Sequence, residues 1–150
     1  MSNRPNPAKA APETFKLMKA LSDHTANSGI DKMLLELVKI RASQINGCAF
    51  CISMHAQEAR KLGETDERML MLSAWPEAGL FSEREKAALA WTEALTLIAD
   101  SHVSDELYEE TRVHFSEQEI VDLSWAITVI NGWNRMMGAF EVPPMKVAQK

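Results

Sequence analysis

The sequence predicts an all-α fold. Apolar residues recur at spacings of three and four along almost the whole chain, whereas alternating runs rich in β-branched residues are scarce. Two Ser-x-x-Glu segments, at residues 82–85 and 116–119, have the form of capping boxes at helix starts. A chain of 150 residues is long enough to bury one substantial core. We therefore expect a single domain over residues 1–150, built as a bundle of about seven helices.

Caps and stops along the chain define the individual helices. Pro12 suits the first turn of a helix, after a lead-in over about residues 1–10 that we expect to be flexible. Asn46 and Gly47 tolerate the left-handed conformation that closes a helix C-terminus, and Gly63 is a second such stop. The predicted helices cover about residues 12–26, 31–45, 48–63 and 65–75, and three more begin at the caps at 82, 104 and 116.

The last predicted helix is apolar on nearly all of its faces between Trp125 and Phe140. Such a helix is usually buried by more than one neighbour. We expect it either at the centre of the bundle or in a contact between subunits, which favours a homo-oligomer. Within this helix, residues 131–135 combine polar and aromatic groups that could line the mouth of a pocket.

Charge and hydropathy exclude several classes of partner. Sixteen basic side chains against twenty-one acidic ones give a net charge of -5, so the broad positive field that nucleic acid requires is missing. The longest apolar stretch worth testing as a membrane span, residues 125–130, has Thr128 inside it and is far shorter than the roughly twenty residues that a span requires. The N-terminal residues contain no continuous apolar segment of a secretory signal. We expect a cytoplasmic protein with no nucleic-acid or membrane partner.

Both cysteines of the chain, Cys48 and Cys51, fall in the first turn of the third predicted helix, and His55 follows four residues later. Residues three and four apart share a helix face, so the thiols can approach disulfide geometry and the imidazole is within reach of a thiol proton. Unpaired backbone amides and the helix dipole at this position favour the thiolate. The segment predicts a reactive dithiol with a neighbouring base.

Glu36 is expected to face His55 across a helical hairpin folded at Asn46. Glu36 lies ten residues before the fold and His55 nine after it, which places both about 14 Å from the turn at about 1.5 Å per residue. A carboxylate that orients an imidazole beside a cysteine is an arrangement found in covalent catalysis. Glu58, three residues after His55, is a second candidate for orienting the ring.

The cysteine pair has other interpretations. Free cysteines are often simply small buried hydrophobes. The pair and His55 together supply three zinc ligands, but no other histidine has a spacing that would complete the site. A structural disulfide is disfavoured in a reducing compartment and would close a very small loop. Covalent haem attachment requires a histidine at position 52, where the chain has Ile52.

The segment ELVKIRASQINGCAFCISMH, residues 36–55, resembles the core motif of the carboxymuconolactone decarboxylase superfamily and, within it, of the AhpD-like alkylhydroperoxidases. Members share a glutamate twelve residues before a C-x-x-C pair and a histidine four residues after it. The close match covers about residues 34–63. The resemblance implies an AhpD-like helical domain with the C-x-x-C pair at the N-terminus of a central helix.

The resemblance further implies an enzyme that reduces organic hydroperoxides through a dithiol cycle. Cys51 would attack the peroxide, Cys48 would resolve the resulting sulfenic acid into a disulfide, and His55 with Glu36 would relay protons. No bound cofactor or metal is implied. An external dithiol, carried by a lipoylated or thioredoxin-type protein, would reduce the disulfide. The relatives also imply assembly into trimers or hexamers.

Phe50 departs from the family pattern, because mycobacterial-type members have a further relay histidine at this position. The departure favours a second hypothesis, in which the protein exchanges disulfides or senses oxidative stress without efficient peroxidase activity. A third hypothesis is a lactone decarboxylase. It is the lesser one, because the decarboxylase branch generally lacks the cysteine pair that this chain carries.

Overall fold

The computed structural model describes residues 3–145, within which all regular secondary structure is helical. The helices are α1 (Pro7–Ala10), α2 (Pro12–Ala26), α3 (Lys32–Asn46), α4 (Ala49–Lys61), α5 (Asp66–Met71), α6 (Trp75–Ala78), α7 (Glu83–Thr96), α8 (Asp105–Arg112) and α9 (Glu117–Ala139). A 3₁₀ turn, Leu72–Ala74, connects α5 to α6. The predicted all-α class is confirmed, and each predicted helix has a counterpart.

The structure differs from the predicted helices at two places. The region expected to be a lead-in contains α1, whose cap residue Asn6 accepts a hydrogen bond from the Lys9 amide at 3.1 Å. The fourth predicted helix is divided into α5, the 3₁₀ turn and α6. Pro76 lies in the first turn of α6, where its fixed φ and missing N–H are tolerated. This proline therefore helps to begin a helix, whereas the predicted helix ends beside it, at about residue 75.

Helix α3 occupies the centre of the fold and packs against α4, α7 and α9. No residue from Met33 to Ile45 is exposed. The apolar side chains buried on this helix are Leu34, Leu35, Leu37, Val38, Ile40 and Ala42. Because α3 is surrounded, a polar side chain on its middle turns needs a partner inside the protein. Glu36 and Ser43 are the two such residues that are buried.

Helix α9 has two different faces. Its inner face packs against α3 and α7, with Leu123 and Ile127 fully buried. Its outer face leaves Val121, Trp125 and Met136 exposed, so this apolar helix is partly at the surface of the chain. The trimer or hexamer implied by the sequence stays a prediction. Neither α9 nor any other helix within residues 3–145 has the length and apolar character to cross a membrane.

The turn between α3 and α4 is attached to its surroundings at several points. Gly47 adopts a left-handed φ of 66°, as the Asn-Gly stop predicts. The Cys48 amide donates to the Ser43 carbonyl at 3.0 Å. The side-chain amide of Asn46 donates to the side-chain oxygen of Asn134 on α9 at 2.9 Å. The position of the first turn of α4 is therefore fixed by both α3 and α9.

Candidate active site

Cys48 and Cys51 lie at the start of α4, as predicted. Cys48 is the N-cap residue, and Cys51 lies in the first turn. A disulfide joins them, with the two Cα atoms 5.3 Å apart. The Sγ atom of Cys48 also accepts a hydrogen bond from the Cys51 amide at 3.3 Å. The structure therefore holds the oxidised state of the pair that the sequence analysis interprets as a reactive dithiol.

The contact predicted between Glu36 and His55 is present. Nδ1 of His55 lies 2.7 Å from Oε2 of Glu36, and both side chains are buried. The second carboxylate oxygen of Glu36 accepts a hydrogen bond from Nζ of Lys39 at 2.8 Å. Sequence reasoning missed Lys39. Its position three residues after Glu36, on the same face of α3, was the available signal.

The electrostatics of the contact fix the roles of the two ring nitrogens. Burial raises the pKa of Glu36, but the hydrogen bonds and charges of His55 and Lys39 outweigh burial and lower the pKa below its ordinary value. Glu36 is therefore ionised near neutral pH and can only accept hydrogen bonds. Nδ1 of His55 must carry the proton of this bond. Nε2 is left as the ring nitrogen that can take up a further proton.

A cavity of about 360 Å³ opens beside the disulfide. Cys51 and His55 line it, whereas Cys48 is not among its lining residues. Most of the remaining wall is apolar and comes from α2, α4 and α9. These apolar side chains are Phe15, Ala26, Phe50, Met54, Ile130, Trp133 and Met137. The site thus combines the sulfur-bearing residue Cys51 and one imidazole with a largely apolar wall suited to an organic molecule.

The wall formed by α2 and α9 is held by an aromatic contact and a hydrogen bond. The rings of Phe15 and Trp133 meet edge to face, with their centroids 5.0 Å apart. Nε1 of Trp133 donates to Oγ of Ser22 at 2.6 Å. Trp133 belongs to the segment 131–135 that the sequence analysis places near a pocket, and its side chain does line the cavity.

Two further sequence predictions concern the surroundings of His55. Phe50 lines the cavity, so the position of the relay histidine in some relatives presents an apolar ring here. Glu58 accepts a hydrogen bond from Lys61 at 2.6 Å on the exposed side of α4 and does not orient the imidazole. Among the residues that the structure describes, no group of three or more His, Cys, Asp or Glu side chains is arranged to hold a metal ion.

The chain is similar to proteins from several bacteria. It is 48% identical over 136 residues to the uncharacterized protein YdfG of Bacillus subtilis, which corresponds to 91% of this chain and 92% of YdfG. Its fold matches the crystal structure of an Agrobacterium tumefaciens protein of unknown function, for which a role as the antioxidant defence protein AhpD has been suggested. That match has a TM-score of 0.94 and 40% identity, and covers 98% of this chain and 100% of the other.

A shorter match links the chain to a named reductase. The alkyl hydroperoxide reductase AhpD of Maricaulis maris is 50% identical over 40 residues, which are 27% of this chain and 23% of that protein. The model of the carboxymuconolactone decarboxylase family matches residues 12–94, more than half of the sequence. On these grounds and on its fold, the chain belongs to the carboxymuconolactone decarboxylase family, in its AhpD-like branch.

Proposed function

We propose that this protein reduces organic hydroperoxides through a dithiol cycle of Cys51 and Cys48. The observation that carries the proposal is the shared cavity: Cys51 and His55 line one apolar space, and His55 is hydrogen-bonded to the ionised Glu36. A nucleophile, a base and a group that orients the base are thus brought together. In this assignment Cys51 is the peroxidatic nucleophile, because it is the cysteine that reaches the cavity.

The first half-reaction consumes the hydroperoxide. Nε2 of His55 accepts the proton of the Cys51 thiol, and the thiolate attacks the terminal peroxide oxygen. An S–O bond forms while the O–O bond breaks, and the departing alkoxide takes the proton back from His55 and leaves as an alcohol. Glu36 accepts a hydrogen bond from Nδ1 throughout and stabilises the transient imidazolium.

The second half-reaction forms the disulfide. The thiol of Cys48 attacks the sulfur of the Cys51 sulfenic acid, an S–S bond forms, and the hydroxyl group leaves with a proton as water. Two thiols and one hydroperoxide therefore give one disulfide, one alcohol and one water. A dithiol reductant, lipoylated or thioredoxin-type, then restores both thiols by exchange and is itself oxidised to a disulfide.

The wall of the cavity supports an organic substrate. A hydroperoxide that carries an alkyl or aryl group can bury that group against Phe15, Met54 and Trp133, at roughly 25 cal/mol for each Å² removed from water. Hydrogen peroxide has no such group. Cumene hydroperoxide is therefore expected to react faster than hydrogen peroxide.

A second candidate function is disulfide exchange or redox sensing without efficient peroxide reduction. Phe50 favours it, since its ring lines the cavity and adds no proton-carrying group beside Cys51. In this case the disulfide would react rapidly with a dithiol while the reduced protein reacts slowly with hydroperoxides.

Single-turnover chemistry separates the two candidates. Reduced protein, freed of reductant, is mixed with cumene hydroperoxide, and free thiols and cumyl alcohol are counted. We expect two thiols lost and one alcohol formed per chain. Cys51→Ser should lower the rate by about a thousandfold or more, since a hydroxyl is a far weaker nucleophile than a thiolate. Cys48→Ser, the matched control, should still react once and leave a sulfenic acid that dimedone traps.

Two results would count against the peroxidase proposal. One is unchanged turnover in Cys51→Ser. The other is reduced wild-type protein that loses no thiols to cumene hydroperoxide although its disulfide is opened rapidly by dihydrolipoamide. The latter result would establish the exchange function instead.

A further inference from the structure

Lys39 is a charged group of the site that the proposed reaction does not use. Its Nζ lies 2.8 Å from one oxygen of Glu36, and the other oxygen of Glu36 contacts His55 at 2.7 Å. The lysine side chain is only 14% exposed and lines the same cavity as Cys51 and His55. An ammonium, a carboxylate and an imidazole therefore form one buried chain of hydrogen bonds, which leads from α3 to His55 in the wall of the cavity that Cys51 also lines.

Formation of the thiolate separates charge within this buried cluster and leaves its net charge unchanged. Once a proton has passed from Cys51 to His55, the thiolate, the imidazolium and the carboxylate of Glu36 sum to one negative charge. The ammonium of Lys39 brings the sum to zero. A net charge away from water is costly, and a paired set of charges is less so. Lys39 pairs with Glu36 and helps to keep it ionised, and the ionised Glu36 stabilises the imidazolium that accompanies the thiolate.

The other charged groups around the cluster are less closely engaged with it. They are Lys19 and Asp23 on α2, Lys32 on α3, and Glu58 and Lys61 on α4. Lys19 and Asp23 pair with each other at 2.9 Å on an exposed turn. Glu58 and Lys61 do the same at 2.6 Å. Within residues 3–145, the salt bridges made by Glu36 are those with Lys39 and His55.

We propose that Lys39 is a positioning residue, which keeps Glu36 ionised and directed at His55 and thereby favours the Cys51 thiolate near neutral pH. The residue acts through Glu36, with which it forms a salt bridge at 2.8 Å. Its contribution matters more because Phe50 brings no proton-carrying group to the cavity. The inference deepens the proposed function, but it concerns thiol reactivity, which can be measured without any peroxide.

The test measures the rate at which iodoacetamide alkylates Cys51 as a function of pH, in a Cys48→Ser background with one thiol. Lys39 lowers the pKa of Glu36, so its loss lets Glu36 take up a proton at higher pH. Lys39→Met should move the midpoint of the profile up by about one pH unit, which is about tenfold slower alkylation below the midpoint. Lys39→Arg keeps the cation and should stay within about threefold of the parent.

Lys86→Met is the matched control. Lys86 pairs with Glu83 at 2.9 Å with the same spacing of three residues, but it lies on α7 away from the cavity. Its replacement should leave the profile unchanged. In a Glu36→Gln background, adding Lys39→Met should change the rate by less than about twofold, because the two residues act as one unit. If Lys39→Met does not fold, as judged by circular dichroism, Lys39→Gln takes its place.

Three results would overturn the proposal. The pH profile of alkylation does not shift in Lys39→Met or Lys39→Gln, or it shifts as far in Lys39→Arg as in Lys39→Met. The third result is that Lys39→Met slows alkylation as much in the Glu36→Gln background as it does with Glu36 present. Failure of the peroxidase function has a different signature. In that case the Lys39 variants shift the alkylation profile as expected while the wild-type protein consumes no hydroperoxide.

Discussion

Helices α4 and α9 begin with the same local geometry and with different chemistry. At the start of α9, Oγ of Ser116 accepts a hydrogen bond from the Glu119 amide, and the carboxylate of Glu119 accepts one from the Ser116 amide in return. At the start of α4, Sγ of Cys48 accepts the amide of Cys51. The spacing is three residues in both. In α4 the two cysteines therefore stand where α9 has its capping hydroxyl and its capping carboxylate.

The two helix starts also differ in charge. The first turn of α9 contains Glu117 and Glu119, whereas the first turn of α4 contains no acid. The Ser116 amide and Arg84 lower the pKa of Glu119, so an anion is favoured at this position. In α4 the same kind of amides and dipole are left without a carboxylate and can favour a thiolate at Cys51. One start thus carries a stabilising carboxylate, and the other carries a cysteine in its place.

The missing carboxylate at α4 is offset by contacts from outside the helix. The backbone carbonyl of Ser43 accepts a hydrogen bond from the Cys48 amide, whereas in a capping box this amide would donate to a glutamate side chain. Asn134 of α9 donates to Oγ of Ser43 at 2.9 Å and accepts from Asn46. The order of this turn thus comes from the tertiary structure, so the first turn of α4 keeps its geometry without a stabilising charge.

The largest effect is expected from removal of the base. His55→Gln should lower the rate of hydroperoxide reduction by about a hundredfold near pH 7, because the Cys51 thiol loses its proton acceptor. The loss should shrink as the pH rises, because hydroxide then removes the thiol proton without help from the imidazole. Stopped-flow mixing across a pH series measures it. His24→Gln, on the exposed side of α2, is the control. A hundredfold loss that is constant with pH would contradict the assignment.

The contact tested by that variant is also the part of the site that could be predicted from sequence. A helix rises by a constant amount per residue, so a fold point at Asn46 is enough to place Glu36 level with His55. The wall of the cavity could not be found in this way. Its position depends on how closely α2 approaches α9. A Cβ atom added at Gly132 would lie 2.8 Å from Cε of Met18, and no periodic pattern encodes such a contact.

In the fold, too, the features set by local sequence could be predicted, whereas those set by tertiary contacts could not. Capping boxes and the Asn-Gly stop gave correct starts and ends for the long helices, since hydrogen bonds within four residues decide them. The fourth predicted helix ends at about residue 75, whereas Pro76 lies in the first turn of α6, because a proline permits a first turn as readily as it stops a last one. Helix α6 packs against α7 and the 3₁₀ turn, and these tertiary contacts are not encoded in the local sequence.

A smaller effect is expected from removal of the cap of α9, which should change the stability of the protein without changing the reactivity of Cys51. Ser116→Ala removes the cap of α9 and should lower the free energy of unfolding by about 1 kcal/mol, as measured by urea denaturation of the reduced protein. Alkylation of Cys51 should not change. Ser116→Asp, which keeps an acceptor at the cap, is the control and should retain most of the stability. A slower alkylation in Ser116→Ala would show that the two helix starts are coupled.

The smallest effect tests the contrast directly, by giving α4 the acid that its first turn lacks. Ala49 is exposed at the first position of α4, so Ala49→Glu adds a carboxylate without disturbing the core. The free energy of unfolding of the reduced protein should rise by about 0.5 kcal/mol, since the new charge interacts favourably with the helix dipole. The same charge opposes a thiolate at Cys51 and should slow alkylation by about threefold near pH 7. Ala49→Gln, similar in size and uncharged, should show neither change. One result would contradict this expectation: Ala49→Glu stabilises the helix but is alkylated as fast as Ala49→Gln. The absence of acids from this turn would then have no bearing on thiol reactivity. The activation of Cys51 would have to come from the cluster of Lys39, Glu36 and His55 and not from the dipole of α4.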